Sequence, residues 1–175
     1  MLLVLPLPWV GAVILAAGVH ELCHLAAVCL LGGNILEIRL DIGGAQIHAE
    51  LPRRAASIAA SLAGPMGSLL LILLCHRMPR TAICGCIQGI YNLLPLRTLD
   101  GGQALGKLLE ATCPEYTQKV MTAVEIVTDF FLILTVLYGC RMLSLNFWPV
   151  ILFPICHLGI TRRKIPCKQG KIRVQ

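Results

Sequence analysis

Charged side chains are scarce in this chain. Aspartate, glutamate, lysine and arginine together make up 14% of its 175 residues, whereas 57% are hydrophobic and the mean hydropathy is +0.78. A chain this apolar is neither disordered nor an ordinary soluble domain. Its length accommodates one membrane domain and no second folded domain of ordinary size.

Cysteine content and charge distribution argue against two further classes, disulfide-rich proteins and nucleic-acid-binding proteins. The nine cysteines are odd in number, and most of them lie in apolar runs, where cysteine usually behaves as a small hydrophobic residue. Cys84 and Cys86 are spaced too tightly for an ordinary zinc site and have no second pair to complete it. The net charge of +6 is concentrated at the ends of the apolar runs and in the C-terminal tail, which indicates contact with a membrane surface.

Five apolar stretches approach or exceed the roughly 20 residues that a helix needs to cross a bilayer. The first lacks the basic segment of a cleavable signal peptide, so we expect it to remain as the first span. The third is short and contains Asn92 and Pro95, which indicates that its neighbours shield it from lipid. The sequence therefore predicts an α-helical polytopic membrane protein with about five transmembrane helices. The five stretches are Leu7–Leu31, Ala55–Cys75, Thr81–Leu96, Val120–Cys140 and Leu143–Ile160.

Two segments between the spans have patterns of their own. Polar and apolar residues alternate over Glu37–Ile42 and again over Ala45–Leu51, on either side of Gly43-Gly44, which predicts a membrane-associated β-hairpin between the first and second spans. A solvated connector is the alternative there. Gly101–Thr112 reads as an amphipathic helix, with leucines on one side and Lys107 and Glu110 on the other.

Positive charge is distributed unevenly between the two sides of the predicted bundle. Twelve lysines and arginines lie on the side reached after the first, third and fifth spans, and three lie on the other side. The excess predicts that the hairpin, the amphipathic helix and the C-terminus are cytoplasmic. Residues 161–175, which hold six of the twelve, are expected to form a basic cytoplasmic tail after a single membrane domain of residues 1–160.

The pattern that carries most information about function is His20-Glu21-Leu22-Cys23-His24, an H-E-x-x-H inside the first apolar stretch. Two histidines four residues apart lie on one face of a helix, where both can ligate one zinc ion. Glu21 can act as general base toward the attacking water. Ionisable groups in a membrane span are costly and by default mark a functional site.

A catalytic zinc usually takes a third protein ligand, and Asp100 is the best candidate. Pro95 ends the third stretch, and Gly101-Gly102 allows the chain to turn the carboxylate inward. Asp129, within the fourth span, is the rival, although a polar contact with a neighbouring helix is the favoured interpretation for it. Glu125 is expected to be hydrated near the cytoplasmic surface. The remaining histidines, expected to be surface side chains, are His48, His76 and His157.

Taken together, these residues resemble the site-2 proteases, which are intramembrane zinc metalloproteases. The resemblance covers residues 10–110 and rests on the H-E-x-x-H, on Asn92-x-x-Pro95-x-x-x-x-Asp100-Gly101-Gly102 and, less specifically, on Ala63-Gly64-Pro65. The chain looks closest to the sporulation branch that releases a mother-cell sigma factor, which also has a glycine-containing hairpin after the first motif. It departs from the family in having Cys23 where glycine is common, and in having about five spans where that branch has six. No PDZ insertion or nucleotide-sensing domain is evident.

The resemblance implies an enzyme that uses zinc, held by His20, His24 and Asp100, with Glu21 as general base. It further implies that Asn92 holds the substrate or the oxyanion. The substrate would be a membrane-tethered protein such as a pro-sigma factor or an anti-sigma factor, cut in or near its membrane segment. The enzyme would be a multi-pass protein of the cell membrane whose active site opens to the cytoplasm, and an oligomer is possible. A catalytically silent protein of the same fold, which binds substrates without cutting, is the first alternative, and a metal-ion transporter is the second.

Overall fold

The structure is a computed structural model that describes the backbone of residues 6–41 and 44–142 and, outside 38–48, 140 and 142, their side chains. Within the described residues, a helix–hairpin–helix arrangement comes first and three further helices follow. The chain divides into two compact units, one ending at Ile126 and one beginning at Val127. The elements are α1 (Leu7–Leu30), β1 (Asn34–Asp41), β2 (Gly44–Glu50), α2 (Arg54–Leu70, continued by a 3-10 turn over Leu71–Leu74), α3 (Pro79–Asn92), α4 (Asp100–Thr112) and α5 (Thr117–Met142).

The first unit is packed through small residues. α1 packs against α2 and α3, and α2 also packs against α3 and α4. Ala16 on α1 and Ala82 on α3 are each 1% exposed, and a side chain at Gly85 of α3 would meet the Ser68 carbonyl oxygen of α2 at 2.7 Å. Small residues let helix backbones approach closely, and this contact replaces the large apolar core of a soluble protein.

Large apolar side chains lie mostly on the outside of these helices. Ile14 and Leu22 on α1 are 66% and 64% exposed, and Phe130 and Phe131 on α5 are exposed as well. Three helical segments of the described residues, Leu7–Leu30, Arg54–Leu74 and Thr117–Gly139, are long and apolar enough to cross a membrane. Helices that pack through small residues and expose large apolar side chains suit a lipid bilayer. This arrangement indicates a multi-pass membrane protein.

The predicted third span is shorter than expected. α3 covers 14 residues, Pro79–Asn92, and is not among the three segments long enough to span. Proline disfavours helical backbone at the residue before it and cannot donate a backbone hydrogen bond, so Pro95 prevents the helix from reaching Leu96. The predicted fifth span, residues 143–160, and the tail, residues 161–175, lie outside the described residues.

The predicted hairpin between the first two spans is confirmed. α1 is followed by Gly32, whose φ of +72° favours glycine, and β1 then pairs antiparallel with β2 from Asn34↔Glu50 to Asp41↔Gly44. Two details differ from the alternating pattern. The first strand starts at Asn34, three residues before Glu37, and Gly44 belongs to the second strand because it pairs with Asp41. The register is interrupted between Ile35 and Glu37, which is typical of a β-bulge.

The predicted amphipathic helix is also confirmed, as α4, but it turns a different face inward. Gly102 and Ala104 are its buried residues, whereas Leu108 is 48% exposed. Lys107, which the pattern placed on the polar side, reaches α2, where its ammonium donates to the Ser61 hydroxyl at 2.7 Å. Lys107 therefore joins α4 to α2, whereas Gly102 lies against the Leu96 carbonyl in the turn after α3.

Candidate metal centre

Three predicted ligands meet in one place. His20 and His24 lie one turn apart on α1, and Asp100 is the first residue of α4. The Asp100 Oδ2 atom lies 3.1 Å from His20 Nε2 and 3.3 Å from His24 Nε2, and the two Nε2 atoms are 3.2 Å apart. Two nitrogens and one carboxylate oxygen converge, so the group could hold a metal ion.

α2 orients both imidazole rings from behind. The Nδ1 atom of His20 lies 2.9 Å from the Ser68 hydroxyl, and that of His24 lies 2.8 Å from the Ala60 carbonyl oxygen. A carbonyl oxygen only accepts, so His24 Nδ1 must carry a proton, and in the neutral ring Nε2 then keeps its lone pair for a ligand. Partners of this kind on the far side of a ring fix its tautomer and orientation for metal binding.

Three glycines make room for this arrangement. A side chain at Gly64 of α2 would collide with the His24 imidazole, so the ring can lie against α2 only because residue 64 has none. In α4, a side chain at Gly101 would collide with the Leu93 carbonyl, and one at Gly102 with the Leu96 carbonyl. Gly101 and Gly102 were expected to turn the chain, yet both lie inside a helix, where they allow the turn after α3 to pack directly on α4.

Electrostatics favour an ionised carboxylate at the cluster. Burial alone would raise the pKa of Asp100, but the hydrogen bonds and charges that His20 and His24 contribute when their rings are protonated outweigh burial and hold that pKa below its ordinary value. An ionised Asp100 is an acceptor-only group and a suitable oxygen ligand for a cation.

The other predicted site residues occupy different positions. Glu21 is half-buried next to His20 on α1, and its carboxylate interacts electrostatically with His24. Asn92 is the half-buried last residue of α3, adjacent to Leu93. Neither belongs to the three-residue cluster. Asp129, the rival ligand, lies on α5 in the second compact unit, and His76 is exposed after the 3-10 turn. The side chain of His48 and all of His157 lie outside the described residues.

An ion pair that the sequence interpretation missed holds the segment before Asp100. Glu125 was expected to be hydrated, but its Oε1 accepts the Arg97 backbone N–H at 2.9 Å and its Oε2 lies 3.3 Å from Arg97 Nε. The same guanidinium donates to the Thr122 hydroxyl at 2.9 Å. A carboxylate in an apolar helix needs a polar or cationic partner, a rule that predicts a partner for Glu125 but does not select Arg97 among the fifteen basic residues.

No protein-family model matches the chain, and no curated protein matches it. The cluster residues and their geometry are therefore the only guide to function among the described residues.

Proposed function

We propose that this chain is an intramembrane zinc metalloprotease of the site-2 protease type, which cleaves a membrane-tethered protein in or near its membrane segment and releases a regulatory domain. The observation that carries the proposal is the convergence of His20, His24 and Asp100, with Glu21 adjacent to the first ligand. Five spans belong to the same proposal, with α3 too short to face lipid alone and shielded by its neighbours. A cytoplasmic C-terminus and a cytoplasmic opening of the site are supported by the positive charge on that side.

The donor set fits zinc. Ligand atoms around a tetrahedral zinc ion with bonds of about 2.0–2.1 Å lie roughly 3.3 Å from one another. The three ligand-to-ligand distances in the cluster are 3.1, 3.2 and 3.3 Å. Two histidines and one carboxylate are also a common catalytic set, which keeps a fourth position open.

Each residue has a role in hydrolysis. Bound zinc would supply a Lewis acid that polarises the peptide carbonyl and makes water more acidic. Glu21 accepts the proton of the attacking water and delivers it to the departing amine as the C–N bond breaks. Ser68 and Ala60 hold the two imidazole rings, and Asn92 would contact the substrate carbonyl from the end of α3.

The hairpin offers a way to present an extended substrate. A helical peptide has its carbonyls satisfied by its own backbone, so a protease in the bilayer must receive an unwound segment. The hairpin follows the metal-binding helix directly, and both of its strands contact α1. A two-stranded sheet has an open edge on each strand, and a substrate strand can pair there.

Co-expression with candidate membrane-tethered transcription factors tests the proposal. We expect a cleaved, soluble fragment in the presence of the wild-type chain and none with Glu21→Gln expressed to the same level. A binding protein that does not cut would instead co-purify with its partner and leave it intact in both cases.

A further inference from the structure

A cavity separate from the metal cluster lies between the start of α2 and the second half of α4. Its volume is about 290 Å³, and its lining is formed by Leu51, Arg53, Arg54, Ser57, Lys107 and Glu110. Three of the six side chains are cationic and one is acidic. The Arg54 guanidinium donates a hydrogen bond to the backbone carbonyl of Glu110 at 3.4 Å. Because the acceptor is a backbone group, this contact neutralises neither the guanidinium nor the Glu110 carboxylate.

Lys107 brings a cation into this cavity without a close counter-ion. Its ammonium donates to the Ser61 hydroxyl and to the Ser57 carbonyl oxygen, at 2.7 and 3.3 Å, and both acceptors are neutral. Among the described side chains, no carboxylate lies within salt-bridge distance of it, and Asp100 and Glu110 act on it only from farther away. Burial lowers the pKa of Lys107, which reflects the cost of a half-buried charge. An anion in the cavity would offset that cost.

The backbone of α2 adds donors at the same place. Arg53 precedes the helix in extended conformation and provides no side-chain cap, and the first intrahelical bond runs from the Ser57 N–H to the Arg53 carbonyl. The N–H groups of residues 54–56 therefore have no intrahelical acceptor. Uncapped N–H groups and two guanidinium groups suit an anion with several oxygens, since a phosphate can accept from both at once.

The position of the cavity indicates where such an anion comes from. Arg54 is the first residue of the candidate span Arg54–Leu74, so the cavity lies where an apolar helix leaves the bilayer. Leu51 supplies an apolar wall beside the cations. We propose that this cavity binds a phosphate group, that of an anionic phospholipid at the membrane surface, through Arg53, Arg54, Lys107 and the first turn of α2.

The test measures phospholipid binding to the purified full-length chain in detergent. Phosphatidylglycerol is titrated in native mass spectrometry, with thermal unfolding recorded in parallel, for the wild type and for Arg53→Gln/Arg54→Gln. The matched control is Arg77→Gln/Arg80→Gln, which removes the same charge from a different cavity at the start of α3. Unfolding without lipid checks that both variants are folded.

We expect affinity for the first phosphatidylglycerol to fall about 25-fold in Arg53→Gln/Arg54→Gln, at about fivefold per basic residue, and less than about twofold in the control. Inorganic phosphate is titrated as a separate arm. Inorganic phosphate could stabilise the protein only when Arg53 and Arg54 are present, while lipid affinity does not depend on these two residues. That result would show that the site binds a soluble phosphate and not a phospholipid. Equal losses of lipid affinity in both double variants would indicate general charge attraction and overturn the proposal. Lipid affinity that neither double variant changes would overturn it as well.

Discussion

Removing the Ser68 hydroxyl should weaken metal binding without disturbing the fold. Ser68 is fully buried on α2, and its oxygen lies 2.9 Å from His20 Nδ1. Ser68→Ala deletes one oxygen atom and leaves the buried Nδ1 of His20 without its hydrogen-bond partner, a loss that costs about 1–3 kcal/mol. Residues that orient a metal-binding histidine typically contribute roughly 10- to 100-fold to metal affinity, which is the range we expect for zinc here.

The assay is zinc competition against a chromophoric chelator, with the purified chain in detergent. Ser57→Ala is the matched control, since Ser57 lies on the same helix and contributes its backbone carbonyl, not its hydroxyl, to the Lys107 contact. Zinc affinity in the control should stay within about threefold of wild type. Wild-type affinity in a folded Ser68→Ala protein would refute the idea that α2 sets the orientation of His20.

Three further changes probe the ligands, the segment that holds them and the hairpin. Asp100→Ala should remove most bound zinc and Asp129→Ala should leave it nearly unchanged, and metal analysis showing the reverse would exchange their roles. Glu125→Gln should lower zinc affinity by roughly tenfold or less, because it weakens the hold on Arg97 without touching a ligand; a loss as large as that of Asp100→Ala would instead make Glu125 part of the site. Proline at Ile38, Leu40 or Ile47 should reduce cleavage far more than alanine at the same position, with zinc content unchanged, if substrate pairs with a strand edge. Equal activity of proline and alanine variants on both strands would rule out strand pairing.

The cluster of candidate ligands could be predicted from sequence because the constraints on it are local. A spacing of four residues places His20 and His24 on one helix face whatever surrounds the helix. Alternation of period two predicted the hairpin in the same way, and Pro95 predicted the break in the helix before Asp100.

The contacts that shape the site could not be predicted because they depend on how helices pack. Ser68 and Ala60 look like ordinary small residues of a packed helix, and only the approach of α2 to α1 brings them to the imidazole rings. The helical pattern places Lys107 on the solvated side of α4, yet its ammonium reaches the Ser61 hydroxyl on α2. Long side chains of lysine and arginine can bend back over apolar surface, which a periodic pattern does not record.

Cleavage by the purified protein tests the central claim most directly. The full-length chain is placed in lipid vesicles with a tethered substrate found by co-expression, and both zinc content and product are measured for the wild type and for Glu21→Gln. The account predicts about one zinc per chain in both, cleavage by the wild type alone, and loss of that cleavage on chelation with recovery when zinc is restored. Cleavage by zinc-loaded Glu21→Gln at the wild-type rate, or cleavage by the wild type that persists after zinc is removed, would contradict it.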